Sequence, residues 1–179
     1  MHTMHKTREI TLIGIFAALN IVSRIALQSL PNIKPVTSII IICVIYFGLS
    51  FGIKLTFVTT IVSNMFLGMG TWTFFQILAW VVICLLTQMV VDLYKVFHRK
   101  PHLIVMSVFS FLMGYVFGFV VSLEQFMIGG IGLFLSYYSS GFVFDTLHAV
   151  GNFAFYLVLY PLLSQVLDRY AKKWLEVRE

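Results

Sequence analysis

A chain of 179 residues that is 60% hydrophobic and only 11% charged, with a mean hydropathy of +0.96, is not an ordinary soluble domain, whose charged share is about 25%. A membrane-crossing helix takes about 20 residues, so the chain has room for five or six spans in one bundle and none for a soluble ATPase or receptor domain. The net charge of +5 gathers at span ends, where membrane topology accounts for it better than a nucleic-acid partner does.

In chain order, residues 1–9 carry His2, His5, Lys6 and Arg8 ahead of an apolar run that lacks a small-residue cleavage signature. This is expected to be a retained first span, about 10–30, with the N-terminus cytoplasmic. Gly14 and Ala18 form a small-xxx-small pair with Ala17 beside them, a pattern that lets another helix approach closely. Asn20 and Arg24 lie one turn apart on a separate face. An Arg near the centre of a bare helix costs about 2.5–3.5 kcal/mol, so Arg24 either snorkels outward or lines a wet cavity.

Pro31 and Pro35, with Lys34 between them, break the first span from the second and mark an outer loop, a plain connector or a lid. Apolar runs at about 38–51 and 55–67 follow, with Gly48, Gly52 and Lys54 expected as the turn between them. From Asn64 a Gly-containing turn leads into a fourth span at about 72–91, in which Trp72, Gln76 and Trp80 fall at i, i+4 and i+8 on one helical face. Two indoles flanking an amide suit a flat or amphipathic ligand, while an interfacial aromatic belt is the plainer explanation of Trp72.

Asp92, Lys95, His98, Arg99, Lys100 and His102 then form a polar loop before a fifth span at about 103–123, which carries Gly114 and Gly118 as another small pair. Residues 124–141 are apolar and glycine-rich and are expected to form a loop folded back onto the mouth of the bundle or lying in the membrane interface. The sixth span, about 142–167, places Asp145, His148, Asn152 and Tyr156 on one face. With six spans and both termini inside, ten Lys and Arg lie on the cytoplasmic side and only Arg24 and Lys34 on the other. The fold class is therefore an all-α integral membrane protein, a single six-helix domain.

Asn20, Arg24, Lys34, Asn64, Trp72, Gln76, Trp80, Asp145, His148 and Asn152 gather toward the outer half of this arrangement. Polar groups inside a membrane are costly unless they pair or line a cavity, so the gathering is read as a binding pocket that opens outward. Structural pairing, such as Asp145 with Arg24, is the competing explanation. Cys43 and Cys84 stand singly in apolar runs, and neither a metal site nor a bound cofactor is expected. Hydrolase, zincin and phosphate-loop motifs are all missing from the sequence, so an enzyme is not expected.

The chain resembles the substrate-binding S-component of energy-coupling factor (ECF) transporters. The resemblance rests on the small-residue motif of the first span, Pro31-Asn32-Ile33-Lys34-Pro35-Val36-Thr37, Ser63-Asn64, Gly68-x-Gly70-x-Trp72-Thr73 and Gln76-x-x-Ala79-Trp80. It covers essentially the whole chain and is greatest toward the cobalamin S-components of lactic acid bacteria. The resemblance implies a vitamin-binding subunit of a bacterial cell membrane, which docks onto a transmembrane coupling protein and two ATPases and topples in the bilayer. It carries docking to Gly14, Ala17 and Ala18, although the family motif usually has alanine where Gly14 stands. It carries binding to residues 31–35, Asn64 and residues 68–80.

Cobalamin as ligand implies that Trp72→Ala or Gln76→Ala weakens binding more than Arg24→Gln does. An S-component for pantothenate, folate or a pyrimidine, a stand-alone proton-coupled carrier, or an accessory membrane protein without a ligand are the alternatives.

Overall fold

The computed structural model describes the backbone of residues 2–97 and 101–175 and the side chains of residues 6–97 and 101–168. Within them the chain forms α1 (His2–Ala26), α2 (Val36–Phe47), α3 (Leu49–Leu67), α4 (Trp72–Val96) and α5 (Leu103–Leu175). At Gly129 and Gly130 α5 leaves helical geometry, the latter with φ of 69°, so it is two limbs, 103–128 and 131–175.

Among the described residues, four segments are long and apolar enough to cross a membrane: Lys6–Ala26, Leu49–Leu67, Trp72–Val96 and Leu103–Asp168, the last containing the break. The remaining helix, α2, has 12 residues, about 18 Å at 1.5 Å per residue and short of a hydrocarbon core of about 30 Å. It touches α1, α3, α4 and α5, and residues from Val36 to Val44 are all buried. A helix that is apolar all round is an interior helix. Its Ile39–Ile42 run forms the centre of the core, bounded by Phe16, Phe47 and Phe51, whose rings meet at 4.6–6.5 Å.

Several expected boundaries shift. The turn after α2 is confined to Gly48, whose φ of 84° reverses the chain in one residue, while Gly52 and Lys54 lie inside α3. Gly52 instead sits against the Val44 side chain, where a Cβ would collide. The first helix ends at Ala26 rather than near residue 30. The most consequential correction concerns residues 124–141, expected as a loop: apart from Gly129 and Gly130 they are helical, and the last helix begins at 131 rather than 142. The stretch contains no proline, and in an apolar setting a helix satisfies every backbone group within its own segment.

The basic cluster at His98, Arg99 and Lys100, expected on the cytoplasmic side, lies outside the described residues, as do the side chains of Arg169, Lys172, Lys173 and Arg178. Among the basic residues described, Lys54 pairs with Glu9 at 2.7 Å and so ties α3 to α1.

Candidate functional site

A buried polar seam joins α1, α3 and α4. On α3, Thr56, Thr59, Thr60, Ser63 and Asn64 recur at helical spacing and are all buried. Asn20 Nδ2 reaches Thr59 Oγ1 at 3.3 Å, and Arg24 Nη1 donates to Ser63 Oγ at 2.7 Å. Arg24 also lies over the Trp80 ring, 5.3 Å from its centroid, and its Nη2 reaches Gln76 Oε1 at 3.5 Å. Asn64 Nδ2 donates to the same Gln76 oxygen at 2.9 Å and to Thr73 Oγ1 at 2.9 Å. The Gln76 carbonyl is thereby held by two donors, while its NH2 has no acceptor among the described residues and borders the cavities described below.

On the other side, α2 and the second limb of α5 are joined through His148. Its Nδ1 lies 2.8 Å from the backbone oxygen of Asn32 and its Nε2 lies 3.2 Å from Thr37 Oγ1. A carbonyl can only accept, so Nδ1 carries a proton. The indole of Trp80 can only donate, and it gives its Nε1–H to Thr37 at 3.0 Å, which leaves the threonine proton for His148 Nε2. The chain Trp80–Thr37–His148–Asn32 is therefore complete with a neutral ring. Phe117 lies on both Trp80 and His148, with centroids at 4.8 and 5.0 Å. Asn32 has φ of 55°, a left-handed conformation asparagine tolerates, and its Nδ2 donates to Phe144 O at 3.3 Å.

Two cavities open around these groups. The larger, about 520 Å³, is bordered by Trp72, Tyr137, Ser140, Phe144 and Asp145. The smaller, about 290 Å³, is bordered by Arg24, Lys34, Trp80 and His148. Asn32, Gln76 and Phe117 line both, so they form the partition. Lys34 Nζ reaches only the Leu30 carbonyl, at 3.2 Å, and burial together with the nearby Arg24 charge lowers its pKa below the usual lysine value. Glu124 accepts a hydrogen bond from Thr71 and so ties the α3–α4 turn to α5.

Seven of the ten expected binding residues thus border a cavity: Arg24, Lys34, Trp72, Gln76, Trp80, Asp145 and His148. Asn64 stands behind Gln76 and orients it. Asn20 and Asn152 are fully buried and border neither cavity; the backbone carbonyl of Asn152 accepts from Ser38 Oγ at 2.9 Å, deep between helices. The ion pair of Asp145 with Arg24 does not form: Asp145 borders the larger cavity, whereas Arg24 borders the smaller and meets Ser63, Gln76 and Trp80. Sequence reasoning missed Thr37, Ser63 and Phe117 as site residues, and reached Asn32 only as part of the loop 31–35 that the resemblance carried into the site. The spacing of Thr and Ser along α3 was a signal for Ser63, whereas one threonine at the start of an apolar helix gives none for Thr37.

Along α1, Gly14 and Ala18 are exposed and nothing lies within 4 Å of a side chain built at Gly14, whereas Ala17 faces the core at 2% exposure. No group of three or more His, Cys, Asp or Glu side chains able to hold a metal ion occurs among the described residues.

The model of the family described as ECF transporter, substrate-specific component, matches residues 8–165, which reaches into every described helix and covers the lining of both cavities. The chain belongs to this family. No curated protein and no solved structure matches it. As an ECF substrate-specific component it is a membrane-embedded transporter component rather than an enzyme, and such components work with a coupling protein and ATPases. The paired cavities lie where the apolar helices converge and are the candidate substrate site.

Proposed function

We propose that this ECF component captures a vitamin in the paired cavities on the outer face of a bacterial cell membrane. It would deliver that vitamin by docking α1 onto the coupling protein, which two ATPases drive. The observation that carries this reading is the cavity pair, bordered by aromatic rings, a free amide and unpaired charges, inside a chain with no nucleotide motif. Docking is assigned to the open stripe of Gly14 and Ala18, where small side chains admit a partner helix. Ala17, pointing inward, supports α1 instead of meeting the partner. Six crossings with both termini inside remain the topology we favour, with α2 as a short crossing enclosed by protein.

Cobalamin is the proposed ligand. Its amide-fringed corrin matches the free Gln76 NH2 and the rings of Trp72, Phe117 and Tyr137. A molecule of that size needs both chambers at once, and movement of Asn32 from the partition would join them. A carboxylate vitamin such as pantothenate is the second reading, favoured by Arg24 and Lys34 bordering one chamber. The expected ranking of Gln76 above Arg24 no longer separates these ligands, because the two side chains share a hydrogen bond. Calorimetry of the purified chain against cobalamin, pantothenate, folate, thiamine, riboflavin and biotin tests the reading. Saturable binding of one vitamin without ATPase activity supports it; ATP hydrolysis by the chain alone contradicts it.

A further inference from the structure

Two buried charges of opposite sign border adjoining chambers, and neither has a counterion. Arg24 is 7% exposed and Asp145 is 8% exposed. Arg24 meets only neutral groups, the Ser63 hydroxyl, the Gln76 carbonyl and the Trp80 ring, and spends two of its five N–H donors on them. Among the described residues Asp145 makes no hydrogen bond and no ion pair. Its carboxyl lies against the Cα of Gly118, where any side chain would collide with it. A charge enclosed in an apolar bundle without a partner is strongly unfavourable, so groups of this kind are held for something that enters.

Resting on the vitamin-capture reading, we propose that the ligand carries two unlike polar groups. It bears one anionic group, held by Arg24 in the smaller chamber, and, elsewhere in the same molecule, a cationic or N–H-bearing group held by Asp145 in the larger. Arg24 retains unused donors for a forked contact with an anion, and Lys34 borders the same chamber and adds a second positive charge. The acidic group lies on the other side of the Asn32, Gln76 and Phe117 partition, where Asp145 is the only acidic or basic residue. A ligand with an anion but neither a cation nor an N–H would leave Asp145 without a partner, and a purely cationic one would enter against Arg24 and Lys34. The anion is a phosphodiester if the ligand is a corrin with a nucleotide tail, and a carboxylate if it is a smaller vitamin.

Four probes separate these cases: cyanocobalamin, with a phosphodiester and amide N–H groups; pantothenate, with a carboxylate and an amide N–H; lipoate, with a carboxylate and no N–H; and thiamine, a cation without an anion. Calorimetry of the full chain is expected to rank cyanocobalamin or pantothenate above lipoate and thiamine, and whichever binds names the anion. Arg24→Gln and Asp145→Asn should each weaken that binding about ten- to hundredfold. If Arg24→Gln does not fold, Arg24→Lys, which keeps the charge but loses the fork, is expected to show at least about a tenfold loss. Tightest binding of lipoate or thiamine overturns the proposal, as does no binding of any probe, or a change within about twofold on neutralising Asp145. Failure of the transport reading looks different: binding would stay sensitive to both residues, while the chain with its coupling protein and ATPases would give no ATP-driven uptake.

Discussion

His148 and Asn32 meet through a 2.8 Å contact between the imidazole Nδ1 and a backbone oxygen, which fastens the first loop to the last helix. The other ring nitrogen lies 3.2 Å from Thr37 Oγ1, so one neutral side chain connects the loop, α2 and α5. His148→Phe keeps a ring against Phe117 but leaves the Asn32 carbonyl and the Thr37 hydroxyl short of a partner. A loss of about 1–3 kcal/mol is expected, read by chemical or thermal unfolding in detergent. Limited proteolysis should cut the loop near residue 32 sooner in this variant than in the native chain. Unchanged stability would remove His148 from the fastening.

The docking stripe yields a contrast along α1. Ala18→Trp and Gly14→Leu project from an open face and should abolish ATP-driven uptake while ligand affinity stays within about twofold. Ala17→Leu points into the core and should destabilise the isolated chain by about 1–3 kcal/mol through overpacking. Equal loss of binding and uptake at Gly14 and Ala18 would make that face structural.

Gly118 and Asp145 offer a steric probe. Gly118→Ala drives a methyl into the Asp145 carboxyl, so ligand affinity should fall at least about tenfold even where the helices remain folded by circular dichroism. Native affinity in this variant would separate Asp145 from the ligand.

Trp72→Ala and Gln76→Ala are each expected to weaken ligand binding by about 1–3 kcal/mol, the first by loss of an aromatic contact and the second by loss of a buried amide. Asn64→Ala frees the Gln76 carbonyl from one of its two donors and should produce part of the Gln76 loss without touching the ligand. Titration calorimetry on the three variants orders them.

The apolar runs that become α1 to α4 were legible, and Gly48 marks the end of α2, whereas α1 stops at Ala26, short of Pro31. Residues 124–141 misled because glycine density resembles loop composition, while in a bilayer the backbone's need for internal hydrogen bonds outweighs glycine's low helix propensity. Arg24, Gln76 and Asp145 stood out because polar groups in apolar helices are costly, and their cavity positions follow from that cost. Asn152 failed the same inference: helical spacing set its face with His148 but not its depth, and it lies one turn further from the mouth. Thr37 was unreadable as a site residue, since its contact with His148 is 111 residues away along the chain, and Asn32 entered only within the loop 31–35, its contact with His148 being 116 residues away.

Uptake into proteoliposomes measures the central claim most directly: this chain reconstituted with a coupling protein and two ATPases, radiolabelled cyanocobalamin outside, and ATP supplied on the ATPase side. Accumulation that requires this chain, the coupling module and ATP together, and that vanishes with Ala18→Trp, is the expected result. Uptake by vesicles holding this chain alone, or full accumulation by the module without it, would contradict the assignment of substrate capture to this subunit.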